Sequence, residues 1–190
     1  MTTLTVPEIE TKRLRLCQAT SAHLNDWAER VFADSEVIRY MPKREMTPYA
    51  RAERALNNYN RLWTQHKTGG WVITDKVDGQ LIGSCEIEYL DETDEYELGY
   101  ALSKSYWGKG IATETARAVT RFGFESVRLD RIIAVVVPEN TASWRVLEHV
   151  GFIYKKKAHY YDLVVVYYAI TRNTFKTDNS FHRVLAPKSS

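Results

Sequence analysis

Residues 132–137, Ile-Ile-Ala-Val-Val-Val, are apolar at every position. A strand with one face in water alternates, so an unbroken apolar run fits a strand covered on both faces. That requires helices on two sides of a sheet, and helical patterns flank the run. Before it, the stretch from Trp107 to Ala112 opens a helix reaching about residue 126, with Ala112, Ala116, Val119 and Gly123 inward. After it, Asn140 caps a helix carrying Ser143, Trp144, Leu147 and Val150, and Gly151 is suited to end it in a left-handed turn. The expectation is an α/β (or α+β) domain with a mixed sheet.

The remaining elements follow from period and punctuation. Residues 13–17 alternate and read as a first strand. Residues 21–35 read as one helix, because Leu24, Trp27, Ala28, Val31 and Phe32 recur at helical spacing. Thr47-Pro48 starts a second helix, with Thr as the cap and Pro at the first position. Its stripe is Ala52, Ala55, Leu56, Tyr59, Leu62 and Trp63, and Gly69-Gly70 is expected to end it. Strands follow at 70–74, 81–90 and 96–102, the first two joined at Asp78-Gly79, a hairpin signal. The acidic stretch 91–95 reads as an exposed turn, and 163–170 as a last buried strand. One domain over residues 1–175 is expected, with a polar, partly mobile tail over 176–190.

Composition removes several functions. Among 190 residues, 26 Lys and Arg against 24 Asp and Glu leave a formal charge of +2, not the basic excess of a nucleic-acid binder. Cys17 and Cys85 make no disulfide framework and have no metal-ligand spacing, so a reduced cytoplasmic setting fits. The histidines at 23, 66, 149, 159 and 182 have no ligand spacing either, and no metal is expected. No apolar run approaches the length that spans a bilayer, so no membrane partner is expected. A homodimer is left open. Cys85 reads as core, and the run Lys155-Lys156-Lys157 as a solvated face.

The sharpest local feature is the turn Trp107-Gly108-Lys109-Gly110-Ile111-Ala112. Backbone N–H groups at a helix start are unpaired and lie at its positive end, and glycines let a phosphate approach. The spacing fits neither the P-loop nor the dinucleotide fingerprint. On these residues alone, a pyrophosphate site and a bare strand-to-helix turn both stand.

This turn resembles the acetyl-CoA signature of the GNAT superfamily of N-acetyltransferases, [Q/R]-x-x-G-x-[G/A]. The downstream helix, led by Asn140 and ending in Gly151-Phe152, is similar to the family's second motif. Short segments resemble the ribosomal-protein alanine and serine N-acetyltransferases: residues 10–14, 39–42, Gly99-Tyr100, 106–110 and 112–114. The resemblance implies a three-layer fold with helices on both faces of a sheet whose strands 96–102 and 132–137 splay to admit pantetheine. It implies acetyl-CoA as co-substrate, held by Leu102, Trp107, Gly108, Lys109, Gly110, Ile111, Ala112, Asn140 and Ser143. It implies an amine acceptor, the closest match being a ribosomal-protein N-terminus. The rivals are a polyamine, an amino sugar or another small amine, and a non-catalytic CoA-binding sensor.

Two departures redirect the roles. Trp107 stands where the family has Gln or Arg, so phosphate contacts there fall to backbone N–H groups. Leu147 stands where many members have the tyrosine acid, so that role passes to Ser143, one turn earlier. Glu97 matches a strand glutamate that serves as base in some members, directly or through water. The other reading is a carboxylate that only orients the amine. Glu86 and Glu88 are its substitutes, Glu88 being the one more readily assigned to solvent.

Overall fold

The computed structural model describes residues 4–186. Residues 1–3 and 187–190, the ends of the expected domain and tail, lie outside the described residues. The strands are β1 (Glu8–Thr11), β2 (Leu14–Gln18), β3 (Gly70–Asp75), β4 (Leu81–Leu90), β5 (Glu95–Leu102), β6 (Arg131–Val136), β7 (Ile153–Tyr160), β8 (Leu163–Thr171) and β9 (His182–Leu185). The α-helices are α1 (Leu24–Trp27), α2 (Ser35–Ile38), α3 (Pro48–His66), α4 (Ile111–Phe122) and α5 (Thr141–Val150). One nine-stranded sheet runs in the order β7-β8-β6-β5-β4-β3-β2-β1-β9. All its neighbours are antiparallel except β5 and β6.

The wholly apolar strand β6 is central, but helices pack on one of its faces only; the cluster on its other face is built from residues of neighbouring strands. In β6, Ile132, Ala134 and Val136 join the main core with Ile111, Ala116, Val119 and Phe122 of α4 and Leu147 and Val150 of α5. Ile133 packs in a separate cluster with Tyr167 and Ala169 of β8. A third cluster joins Trp27, Val31, Phe32, Ala52, Leu56 and Tyr59 to Val72 of β3 and Leu81 of β4. The long helix starts as expected, Thr47 accepting from the Ala50 N–H with Pro48 first in the helix. Such a cap is worth about 1 kcal/mol.

Several boundaries differ from the sequence reading. Residues 21–35 are not one helix: a 3-10 turn (Ser21–His23), α1 and a wide π turn (Ala28–Phe32) follow one another. Asp34 then accepts from the Glu36 N–H and starts α2. The end of α3 is not at Gly69-Gly70, because Lys67 already takes the left-handed turn at φ 57°. Gly70 serves packing instead: a Cβ there would lie 2.1 Å from the Tyr59 ring. α4 gives way to a π turn at Gly123–Val127. Three strands are additional: β1, β7 and β9. The lysine run lies exposed on edge strand β7. The expected tail supplies β9, paired with β1, where Arg183 donates to the buried Glu10 at 2.8 Å.

Candidate active site

The turn before α4 has the geometry its glycines suggest. Gly108 and Gly110 have φ of 71° and 73°, and Gly110 is the N-cap of α4 with no side chain closing the helix end. A Cβ at Gly108 would meet nothing within 4 Å, and one at Gly110 would come no nearer than 3.6 Å to Arg13. The glycines therefore satisfy the backbone conformation and leave open space in front of it. The first-turn N–H groups of a helix have no intrahelical acceptor. A bare, positive helix end beside two open glycines is a cradle suited to phosphate oxygens.

Arg13 and Glu114 clamp this turn to the connection between β1 and β2. Glu114 accepts from the Thr11 hydroxyl at 2.6 Å, the Arg13 N–H at 3.0 Å and Arg13 Nε at 2.7 Å. Arg13 Nη1 donates to the Lys109 carbonyl at 2.8 Å, inside the glycine turn. Trp107 turns its indole back, Nε1 donating to the Leu102 carbonyl at 2.9 Å. The departure from Gln or Arg thus gives a latch across the strand-to-turn junction. Lys109 Nζ lies 5.2 Å from the Tyr106 ring centroid.

Beyond the turn, β5 and β6 part. Their parallel ladder consists of one register pair among the described residues, Glu97 opposite Ile133. By contrast, β6 and β8 pair at six positions. Val135 and Val136 of β6 and residues 99–102 of β5 face one another without a ladder. On the far side of this opening stands α5, capped by Asn140, whose Oδ1 accepts from the Ser143 N–H at 3.3 Å. Ser143 Oγ lies 2.7 Å from the Tyr100 hydroxyl. Burial pushes the Tyr100 pKa up, against the pull of the Ser143 hydrogen bond, so the phenol keeps its proton. Tyr100 is the group that sequence reasoning passed over; its only sign there was the Gly99-Tyr100 match. Leu147 is fully buried in the core.

Glu97 sits at the point of divergence and is only 8% exposed. Opposite it on β4 is Glu88, and Glu86 stands opposite Gly99. A Cβ at Gly99 would lie 2.3 Å from Glu86 Oε1, so the glycine makes room for that carboxylate. All three acids take their hydrogen bonds from neutral donors: Glu86 from the Tyr59 hydroxyl at 2.6 Å, Glu88 from Asn58 Nδ2 at 3.0 Å, and Glu97 from the Tyr161 hydroxyl. Burial pushes Glu97 up to about 8, and the charges of Glu88 and Glu86 add to this; the Tyr161 bond pulls it back. Burial likewise brings Glu86 to about 7 against the Tyr59 bond. Glu86 is half-buried and held by Tyr59 of α3, so it does not stand on a plain solvent face. Cys85 is fully buried, as core.

A family model described as an acetyltransferase (GNAT) domain matches residues 13–153. The chain belongs to the GNAT acetyltransferase family. It is 34% identical over 122 residues to the uncharacterized N-acetyltransferase p20 of Bacillus licheniformis, covering 64% of this chain and 68% of that one. Its fold is similar to that of Mycobacterium smegmatis RimJ in complex with CoA-disulfide: TM-score 0.74, 24% identity, 88% of this chain and 86% of that one. It is similar also to the ribosomal-protein-S5-alanine acetyltransferase of Vibrio fischeri: TM-score 0.72, 22% identity, 90% and 99% covered.

As a GNAT N-acetyltransferase the chain is an acyltransferase of a family that uses acetyl-CoA. The open glycines and the bare, positive helix end suit the phosphates of that molecule. Among the described residues no cluster of three or more His, Cys, Asp or Glu could hold a metal ion, and no helix is long and apolar enough to cross a membrane.

Proposed function

We propose that this N-acetyltransferase acetylates a protein N-terminal α-amino group, of the kind that ribosomal proteins present. The observation that carries the reading is Glu97: a buried carboxyl at the mouth of the β5–β6 opening, bonded by a neutral phenol and titrating near neutrality. A base with a pKa near the working pH combines the correct protonation state with a useful driving force for proton transfer. An α-amino group has an ordinary pKa of about 8 and a lysine about 10.4. Glu97 is thus well matched to the first and poorly matched to the second. The likeness to two ribosomal-protein-type folds supports the same acceptor.

Acetyl-CoA supplies an activated acyl group and a thiol leaving group. Gly108, Lys109, Gly110, Ile111 and Ala112 offer backbone N–H groups to its phosphates, while Leu102, Trp107 and Asn140 frame the entry to the opening. Glu97 takes a proton from the amine, directly or through a water. Ser143, oriented by Tyr100, donates a hydrogen bond to the departing sulfur. A thiol of ordinary pKa about 8.5 needs only modest help to leave, so a serine hydroxyl suffices where relatives use tyrosine.

A second reading, a small polyamine acceptor, is favoured by one specific observation: three carboxylates, Glu86, Glu88 and Glu97, share one sheet face. Release of CoA thiol with Ala- and Ser-initiated peptides, spermidine and an aminoglycoside separates the two. The peptides are expected to give the higher kcat/KM. A hundredfold preference for a small amine, about 2.7 kcal/mol, overturns the protein-acceptor reading and leaves acetyl transfer intact.

A further inference from the structure

Tyr161 and Asp162 form the two-residue turn of the β7–β8 hairpin, between the register pair Tyr160 and Leu163. Both have left-handed φ, 54° and 61°. Turns of this type usually take Asn-Gly or Asp-Gly, because Cβ itself is strained at left-handed φ, which Gly avoids and Asn or Asp tolerate through local hydrogen bonds. A bulky residue holds such a conformation only where its surroundings over-determine it. Tyr161 is 44% exposed, with its ring centroid 6.4 Å from that of Tyr160. Beyond that contact its tether is the hydroxyl, which donates to Glu97 Oε2 across 64 residues of chain.

We propose that Tyr161 is a positioning residue of the acceptor site: the strained hairpin turn holds its phenol against Glu97 and fixes that carboxylate at the mouth of the β5–β6 opening. The proposal rests on the reading of Glu97 as the group that faces the amine. An incoming ammonium is a stronger donor than a phenol and competes for the same oxygen. The turn therefore fixes the carboxylate before the acceptor arrives and marks the acceptor's entry between β5 and the β7–β8 hairpin.

The groups facing Glu97 are few. Glu88 and Glu86 approach from β4, the backbone of Val135 from β6, and Tyr161 from the hairpin. Behind the two β4 acids, α3 supplies Asn58 and Tyr59. Of these, only Tyr161 donates a side-chain hydrogen bond to Glu97 itself. Removing it leaves the carboxylate buried beside two like charges on β4 with one donor fewer, which favours the protonated form.

The test follows the Glu97 carboxyl carbon by NMR titration of the apo protein, with glutamate 13C-labelled at the carboxyl and the resonance assigned by its loss in Glu97→Gln. Tyr161→Phe is expected to move the midpoint upward by about half a pH unit or more. Tyr161→Asn, which tolerates left-handed φ, is expected to keep or raise the thermal midpoint and still shift Glu97 upward. Both variants are expected to raise KM for an Ala-initiated hexapeptide more than KM for acetyl-CoA. An unmoved Glu97 midpoint in Tyr161→Phe overturns the proposal, as does a Tyr161→Asn variant that loses stability and leaves the titration in place. The titration needs no acceptor. Full turnover of Glu97→Gln on the hexapeptide, with the Tyr161 shift intact, instead overturns the base reading.

Discussion

Arg13 and Glu114, 101 residues apart in the chain, meet through two hydrogen bonds, N–H to Oε1 at 3.0 Å and Nε to Oε2 at 2.7 Å. The same guanidinium reaches the Lys109 carbonyl in the glycine turn. The pair is partly exposed, so its direct contribution to folding is small, about 0–1 kcal/mol. Its effect is expected in the geometry of the turn. Arg13→Ala and Glu114→Gln should weaken acetyl-CoA binding about tenfold, or ~1.4 kcal/mol, with little change in Tm. Calorimetric titration giving wild-type affinity in both variants would remove the clamp from the site.

Gly110 and Gly79 make a matched pair, both at φ 73°. Gly79 lies in the β3–β4 hairpin, where an added Cβ would meet nothing within 4 Å. Gly79→Ala should therefore cost about 1 kcal/mol of stability and leave acetyl-CoA affinity alone. Gly110→Val should carry a similar backbone cost and also lose affinity by more than about tenfold, since its side chain would stand where phosphate approaches. Equal affinity in the two variants would detach the phosphates from this turn.

Ser143 and Tyr100 are expected to act together. Ser143→Ala should lower kcat by roughly 10–100-fold with a smaller change in KM for acetyl-CoA, because a hydrogen bond to departing sulfur strengthens only as the bond breaks. Tyr100→Phe should lower kcat less, by freeing the serine rotor. The double variant should be little worse than Ser143→Ala, since both act through one hydroxyl. Fully multiplicative losses in stopped-time thiol-release assays would assign them separate roles.

What could be read from the chain divides by how local its cause is. α3 was legible because its cap, its proline and its apolar stripe are neighbours in sequence. β4 was legible because residues 84–89 alternate polar and apolar between the Asp78-Gly79 turn and the acidic stretch. β7 was not, because it is an edge strand exposed at Ile153, Tyr154 and all three lysines, so no face is marked. β9 is four residues long and held by β1 and the Arg183–Glu10 contact, a partnership 173 residues apart. The site follows the same rule. The glycine turn carries its own signal, and Glu97 and Ser143 stood out by their register and the family pattern. The Tyr161–Glu97 and Tyr100–Ser143 pairs join positions 64 and 43 residues apart, and only the assembled sheet brings them together.

The burial of Glu97 has a cost that can be measured apart from catalysis. Its carboxyl titrates at an ordinary 4.5 when exposed and at about 8 in the folded chain. Between those values the native state holds a proton that the unfolded state has released. Stability then falls as pH rises across that window, because the unfolded state binds fewer protons. Glutamine keeps the shape and removes the titration. Glu97→Gln should therefore match wild-type stability near pH 4.5 and exceed it at pH 8.5, each kcal/mol gained raising Tm by roughly 2–4 °C. Turnover should move the other way, falling by about a hundredfold at pH 8.5 as the general base is lost. Thermal melts at the two pH values decide the first half and thiol release on an N-terminal peptide the second. A Tm difference that stays constant between pH 4.5 and 8.5 would mean that Glu97 is not held in its neutral form by the fold, and the match between this carboxyl and an α-amine would go with it.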